Sequence, residues 1–203
     1  GGVVPGVAGV DSASRRLGGE AGRRANRPRP RAIPPFQLAM RVADMDALLA
    51  VARDHNLRVI EDCAHVHGGQ YQGRGSGSMG DLGCFSFQES KLMTSGEGGI
   101  VITSNLQYFE HLQSQVNCGR ASLTDQFQQR VLGSNYRMTE LQASLLLGQL
   151  EMLPGFAAKR TRSAARLSEA FDHIPGLRAL PAQKQITREA IYCYVFQYRP
   201  EID

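Results

Sequence analysis

From residue 32 onward the chain alternates short apolar runs with amphipathic segments, and that alternation restricts it to an α/β fold with a largely parallel or mixed sheet. Residues 31–38 form a short strand candidate, weakened by Pro34 and Pro35. Residues 44–55 predict a helix: Asp44 can cap it, Asp46 suits the positive end of its dipole, and Met45, Leu48, Leu49 and Ala52 share one face. Residues 57–60 predict a buried strand that ends in Glu61-Asp62. Glycine-rich turns follow over 68–83, then a strand over 84–87, a polar connection over 91–98 and a strand over 99–103. A helix over 106–116 carries Phe109, Leu112 and Val116 on one side. Thr139 and Gln142 have capping-box spacing at the start of a helix over 139–153, with Leu141, Leu145 and Leu146 as its stripe. Pro154 is expected to stop it, a second helix to run over 156–173, and a last strand over 191–198.

Charge is unevenly placed. Residues 1–31 hold seven arginines against Asp11 and Glu20, so nearly all the basic character sits in a Gly-, Pro- and Arg-rich leader and the rest of the chain sums to −1. A nucleic-acid surface would spread its cations over a folded face. The leader instead predicts a solvated, low-complexity tail, and no nucleic-acid partner is expected. The four cysteines form no CxxC pair and read as reduced thiols. No apolar run approaches a membrane span, and the leader has no apolar core of a secretory signal. A cytoplasmic location away from membranes is the expectation.

Two segments carry chemistry. The strand ending in Asp62 delivers a carboxylate at its carboxyl end, where open α/β sheets bind ligands. Taken alone, Asp62 reads equally as a cap for the next turn. The strand over 84–87 runs into Gln88, Glu89, Ser90 and Lys91, followed by hydroxyls and glycines over 94–99 that permit close backbone approach. Taken alone, Lys91 reads as a surface lysine. Together they match the needs of a pyridoxal 5'-phosphate enzyme: a lysine for the aldehyde, a carboxylate for the pyridine nitrogen, and hydroxyls for the phosphate.

The segments I-E-D-C-A-H-x-H-G (60–68), G-D-L-G-C-F-S-F-Q-x-S-K (80–91), T-S-G-E-G-G (94–99) and L-G-S-N-Y-R-M-T-E-L-Q-A (132–143) resemble the DegT/DnrJ/EryC1/StrS aminotransferases. Within that family D-C-A-H-x-H-G (62–68) and F-S-F-Q-x-S-K-L-M-T-S-G-E-G-G (85–99) are most similar to the glutamine-dependent scyllo-inosose and 2-deoxy-scyllo-inosose aminotransferases of aminocyclitol antibiotic pathways. The resemblance implies the fold-type I architecture of aspartate aminotransferase-like enzymes, with a partial cofactor-binding large domain over 32–154 and the start of a small domain over 155–203. It implies that Lys91 is the Schiff-base lysine, that Asp62 pairs with the pyridine nitrogen, that His65 lies near the ring's phenolic oxygen and that Ser86 binds the phosphate. Asn135 would reach the phosphate in a neighbouring subunit, making a homodimer the active unit. Gln88, Glu97 and Arg137 occupy motif positions without an assigned role.

The implied reaction moves an amino group from L-glutamine or glutamate to a keto-cyclitol; a nucleotide-linked keto-sugar is the alternative acceptor. Family members are longer, and their early Gly-Thr or Gly-Ser phosphate segment is not found in this sequence. A fragment, or an inactive remnant, is therefore a further expectation. Two other signals compete. Gly75, Gly77 and Gly80 fit G-x-G-x-x-G, but they lead into a strand rather than a helix. Asp62, His65 and His67 could be metal ligands, although zinc sites usually draw a ligand from elsewhere in the chain.

Overall fold

The structure is a computed structural model and describes residues 30–121 and 127–199. The expected leader therefore lies outside the described residues except for its last two positions. Among the described residues the first strand, β1, is only Ala32–Ile33. Pro34 and Pro35 supply no N–H to a ladder, so the longer strand expected over 31–38 breaks there, with a single further bridge between Phe36 and Asp62.

Helix α1, Met45–Asp54, forms as its sequence predicts. The Asp44 side chain accepts from the Ala47 N–H at 3.3 Å, and Met45, Leu48, Val51 and Ala52 are buried against the sheet. Burying each large side chain is worth roughly 1.5–3 kcal/mol. Tyr71, wholly buried, donates to both Asp44 and Asp46 at 3.3 Å. Burial, reinforced by those carboxylates, pushes its phenol up to about 12.

Strand β2, Arg58–Asp62, lies parallel to β1 on one side and to β5, Leu82–Ser86, on the other. Strand β6, Gly99–Ile102, closes the order β1-β2-β5-β6 and runs antiparallel to β5. The sheet is thus mixed. Within 68–83, read as turns from its glycines, two short strands form: β3 (Gln70–Tyr71) and β4 (Arg74–Gly75).

The alternation of β2 sends neighbouring carboxylates to opposite faces. Asp62, half-buried, pairs in register with Cys84. Glu61 is completely buried. One of its oxygens accepts from the N–H groups of Met79 and Gly80 at 2.7 and 2.8 Å, the other from Gly77 N–H at 2.9 Å and Gln37 Nε2 at 3.4 Å. The turn over 77–80 is therefore wrapped around a carboxylate of its own chain. Gly77 sits at φ +86, and a Cβ there would lie 2.7 Å from the Phe85 ring, so both conformation and space require glycine.

Helix α2, Leu106–Val116, matches its expected bounds. Its expected apolar side is largely open in this chain, with Phe109 and Val116 exposed and Leu112 half-buried. Helix α3 departs from expectation: it runs unbroken from Glu140 to Phe171, with Pro154 inside it. Its buried residues Leu146, Leu153, Ala157 and Ala164 keep one helical face across the proline. Packing along that face outweighs the lost hydrogen bond, which in an exposed helix costs about 3 kcal/mol. The capping box of Thr139 and Gln142 is present. Of the expected stripe only Leu146 is buried; Leu141 and Leu145 are exposed.

The chain then folds back. Strands β7 (Leu177–Ala179) and β9 (Phe196–Tyr198) pair with each other, while β8 (Ile186–Arg188) joins β3. Only 196–198 of the strand expected over 191–198 is realised. Before it, Tyr192 N–H donates to the Ala39 carbonyl at 2.9 Å, and Gln183 makes two bonds to the Val42 backbone. These ties hold residues 183–192 beside the carboxyl end of β2.

Candidate active site

The site opens where β2 and β5 end. Asp62 Oδ1 accepts from Ala64 N–H at 3.1 Å, a local turn that orients the carboxylate. Cys84, its register partner, has its thiol pushed up, by burial first and by Asp62 second. Two residues on, Ser86 lies at the end of β5. Its hydroxyl oxygen accepts from Gln88 N–H at 3.3 Å.

Lys91 follows from a tight turn. Lys91 N–H donates to the Gln88 carbonyl at 3.0 Å, and buried Leu92 and Met93 anchor the chain behind it. Gln88 Oε1 accepts from both the N–H and the hydroxyl of Ser90, at 3.0 and 2.6 Å. That gives Gln88 a structural part in shaping the turn. Among the described residues no carboxylate forms an ion pair with Lys91; its ammonium lies 5.0 Å above the centre of the Tyr192 ring.

His65 lies at the centre. Its ring stacks on Tyr192, centroids 4.2 Å apart and planes 17° from parallel, with Phe36 at 5.3 Å on another side. Ala39 N–H donates to His65 Nδ1 at 3.2 Å. Nδ1 is thus the acceptor and Nε2 carries the proton of a neutral ring. Burial lowers the pKa of His65 and Lys91 lowers it further, while Asp62 opposes both. His65 and Lys91 thus rest against the same Tyr192 ring, and Asp62 stands at the end of β2, just before His65. Ala39 is held at φ 61, a strained conformation for alanine, while clamping His65 by its N–H and Tyr192 by its carbonyl.

His67 lies within electrostatic reach of Lys91 and His65, but its direct contacts are with Ser86, Phe85 and Phe87. It is buried, with Nε2 2.8 Å from the Ser86 carbonyl, so Nε2 donates; Nδ1 has no partner. It faces an apolar cavity of about 400 Å³ between β5–β6 and α3. Among the described residues no group of three or more His, Cys, Asp or Glu is arranged to hold a metal. In the G-x-G-x-x-G stretch, the N–H groups of Gly77 and Gly80 that could have cradled a phosphate are spent on Glu61. No helix among the described residues is long and apolar enough to cross a membrane.

Asn135 is exposed. It bridges Asn117 near the end of α2, and its Oδ1 accepts from Arg137 N–H at 3.4 Å. Arg137 Nη1 donates to Asn117 Oδ1 at 2.7 Å, which fixes this second cluster. Tyr192 was not singled out by the sequence. It lies about a hundred residues beyond Lys91 in a run that reads as strand, and no local pattern marks it.

Known proteins resemble this chain over most of its length. A putative L-glutamine:3-amino-2,3-dideoxy-scyllo-inosose aminotransferase of Micromonospora echinospora is 42% identical over 174 residues, 85% of this chain and 42% of that protein. The L-glutamine:scyllo-inosose aminotransferase of Streptomyces griseus is 38% identical over 211 residues, 98% of this chain and 49% of that protein. The crystal structure of 3-amino-5-hydroxybenzoic acid synthase superposes with a TM-score of 0.88 at 34% identity, covering 93% of this chain and 50% of that one. The chain thus spans about half the length of the relatives it matches, and its fold is part of the fold-type I architecture of aminotransferases. The profile of the DegT/DnrJ/EryC1/StrS aminotransferase family matches residues 1–202, reaching further toward the start than the four motifs, and the chain belongs to that family.

Proposed function

We propose that the protein from which this chain comes is a pyridoxal 5'-phosphate-dependent aminotransferase that passes the amino group of L-glutamine or glutamate to a keto-cyclitol such as scyllo-inosose or its 2-deoxy form. The observation that supports the reading is the Tyr192 ring, on which His65 stacks and over which the Lys91 ammonium lies, with Asp62 at the carboxyl end of a parallel strand just before His65. The residues present fit the cofactor. Asp62 has an oxygen free to receive a protonated pyridine nitrogen. Ser86 has a hydroxyl proton to offer a phosphate, and Lys91 has no competing carboxylate among the described residues. When bound, the cofactor supplies an aldehyde that links to amines and a ring that absorbs electrons from the substrate's α-carbon.

The protein residues do the rest. Lys91 would hold the cofactor's aldehyde and, once displaced by a substrate amine, would move a proton as base and acid. Asp62 would hold the proton on the ring nitrogen. Neutral His65 carries its proton on Nε2, its ring fixed by the bond from Ala39. The exposed Asn135 serves the equivalent site of a second copy, so the working unit is a homodimer. Residues 32–154 belong to the large domain and 155–203 begin the small one. The protein works in the cytoplasm.

The test joins capture and turnover. The chain mixed with pyridoxal 5'-phosphate is expected to absorb at the edge of the visible range, and borohydride should fix the cofactor on the peptide containing Lys91. Lys91→Ala should lose both the band and turnover. Comparable turnover in that variant overturns the assignment. L-glutamine and L-glutamate are then assayed against scyllo-inosose, its 2-deoxy form and a nucleotide-linked keto-sugar in the longer protein. Transfer only to the nucleotide-sugar overturns the cyclitol acceptor. Cofactor capture without any half-reaction would mark a remnant.

A further inference from the structure

We propose that Tyr192 is a positioning residue of the Lys91 site: its ring is the wall on which both Lys91 and His65 rest, and its hydroxyl fixes the turn that presents the lysine. The inference rests on the functional reading above and extends it to a residue beyond the family motifs.

Three contacts converge on this side chain. Its ring stacks on His65 at 4.2 Å and lies under the Lys91 ammonium at 5.0 Å. Its hydroxyl is 2.8 Å from Ser90 Oγ. The Ser90 proton is committed to Gln88 Oε1, an acceptor only, so Tyr192 must be the donor. The result is a relay from Tyr192 through Ser90 to Gln88, whose carbonyl in turn receives the Lys91 N–H. The backbone is held independently. Tyr192 N–H donates to the Ala39 carbonyl, and Arg160 Nη1 donates to the Tyr192 carbonyl at 3.0 Å. A surface tyrosine packed by chance would not be fixed at ring, hydroxyl and backbone together. Ala39 binds His65 and Tyr192 at once, so the stacked pair is set by one strained residue.

The chemical consequence concerns orientation. A lysine side chain has four rotatable bonds, and the face of an aromatic ring attracts its charged end. Tyr192 narrows where the amine can lie and covers one face of His65. The titratable groups around His65 are then Lys91, Asp62, His67 and Tyr192, with Phe36 on another side.

The experiment uses the 203-residue chain with Tyr192→Phe, Tyr192→Leu, Ser90→Ala and the double variant Tyr192→Phe/Ser90→Ala. Two quantities are read: the concentration of pyridoxal 5'-phosphate needed for half-maximal covalent capture at Lys91, and the His65 imidazole titration followed by NMR. Leucine should weaken capture about 2- to 10-fold, the range of one aromatic pair. It should also move the His65 midpoint up toward its ordinary value, since burial is the first cause of its depression. Phenylalanine should keep the His65 midpoint. Phenylalanine and Ser90→Ala should weaken capture to the same small extent, and the double variant no further than either. Capture and midpoint unchanged in Tyr192→Leu overturn the proposal. Additive effects in the double variant overturn the relay. If Tyr192→Leu loses its helical circular dichroism, the other three variants decide. If the parent chain captures no cofactor, the reading of Lys91 fails, while the His65 titration still decides whether Tyr192 covers that ring.

Discussion

Replacing Glu61 with glutamine changes one atom of a buried side chain, and the consequence can be worked out bond by bond. Each oxygen of Glu61 receives two N–H groups. A carboxamide has one acceptor oxygen, so its NH₂ must face donors whichever way it turns. Turned toward Met79 and Gly80 it strands two backbone N–H groups. Turned the other way it strands the Gly77 N–H and opposes Gln37. Gln37 cannot flip to compensate, because its own oxygen accepts from Ala43 N–H at 2.7 Å. The cheaper arrangement leaves one buried backbone donor unpaired, at about 1–3 kcal/mol, and weakens the two surviving bonds from charge-assisted to neutral, at about 1 kcal/mol in all after the easier desolvation of the amide. Glu61→Gln should therefore lower stability by about 2–4 kcal/mol, a large part of the roughly 5–15 kcal/mol typical of a domain. Urea unfolding followed by circular dichroism measures it as a lower midpoint with an unchanged slope. Amide exchange at Gly77, Met79 and Gly80 should quicken in parallel. A loss below about 0.5 kcal/mol would refute the reasoning, since it would mean those N–H groups find partners without the carboxylate.

Acidification tests the histidines. Both His65 and His67 are held below the ordinary imidazole value, with burial the first cause in each. The unfolded chain then binds protons that the folded chain refuses, so stability is full above about pH 6.5 and falls as pH drops below it. His67→Gln should show a shallower fall than the parent between about pH 6.5 and 5 in urea midpoints; an equal fall would show that His67 does not contribute. Thr139→Ala removes the hydroxyl that caps α3 and the partner of Gln142, which also donates to the Glu97 carbonyl at 2.9 Å. It should cost about 1 kcal/mol in thermal unfolding, and no change would argue that the box is idle in solution.

The site was legible where chemistry and spacing coincide locally. Asp62 ends β2 and Lys91 lies in the turn that follows β5, and the parallel pairing of those strands puts both segments past the same end of the sheet. Glu61 was visible as a residue but not as an anchor, because its partners are backbone N–H groups 16 to 19 positions away that carry no side-chain signature. Tyr192 was invisible for a related reason: the fold-back after α3 depends on long-range ties such as Gln183 to Val42. Pro154 misled because a local rule predicts a break, whereas the buried face of α3 continues through it. The exposed leucines of α3 and the open face of α2 are apolar surface that the described residues leave uncovered.

The adjacency of Glu61 and Asp62 limits how this strand can change over evolutionary time. One carboxylate grips a loop on one face of the strand while its neighbour lies on the other, braced by the Ala64 N–H. Inserting or deleting a single residue ahead of them would exchange their sides, undoing the brace and the loop's grip at one stroke. Point replacements upstream can be absorbed one at a time; a change in residue count there cannot.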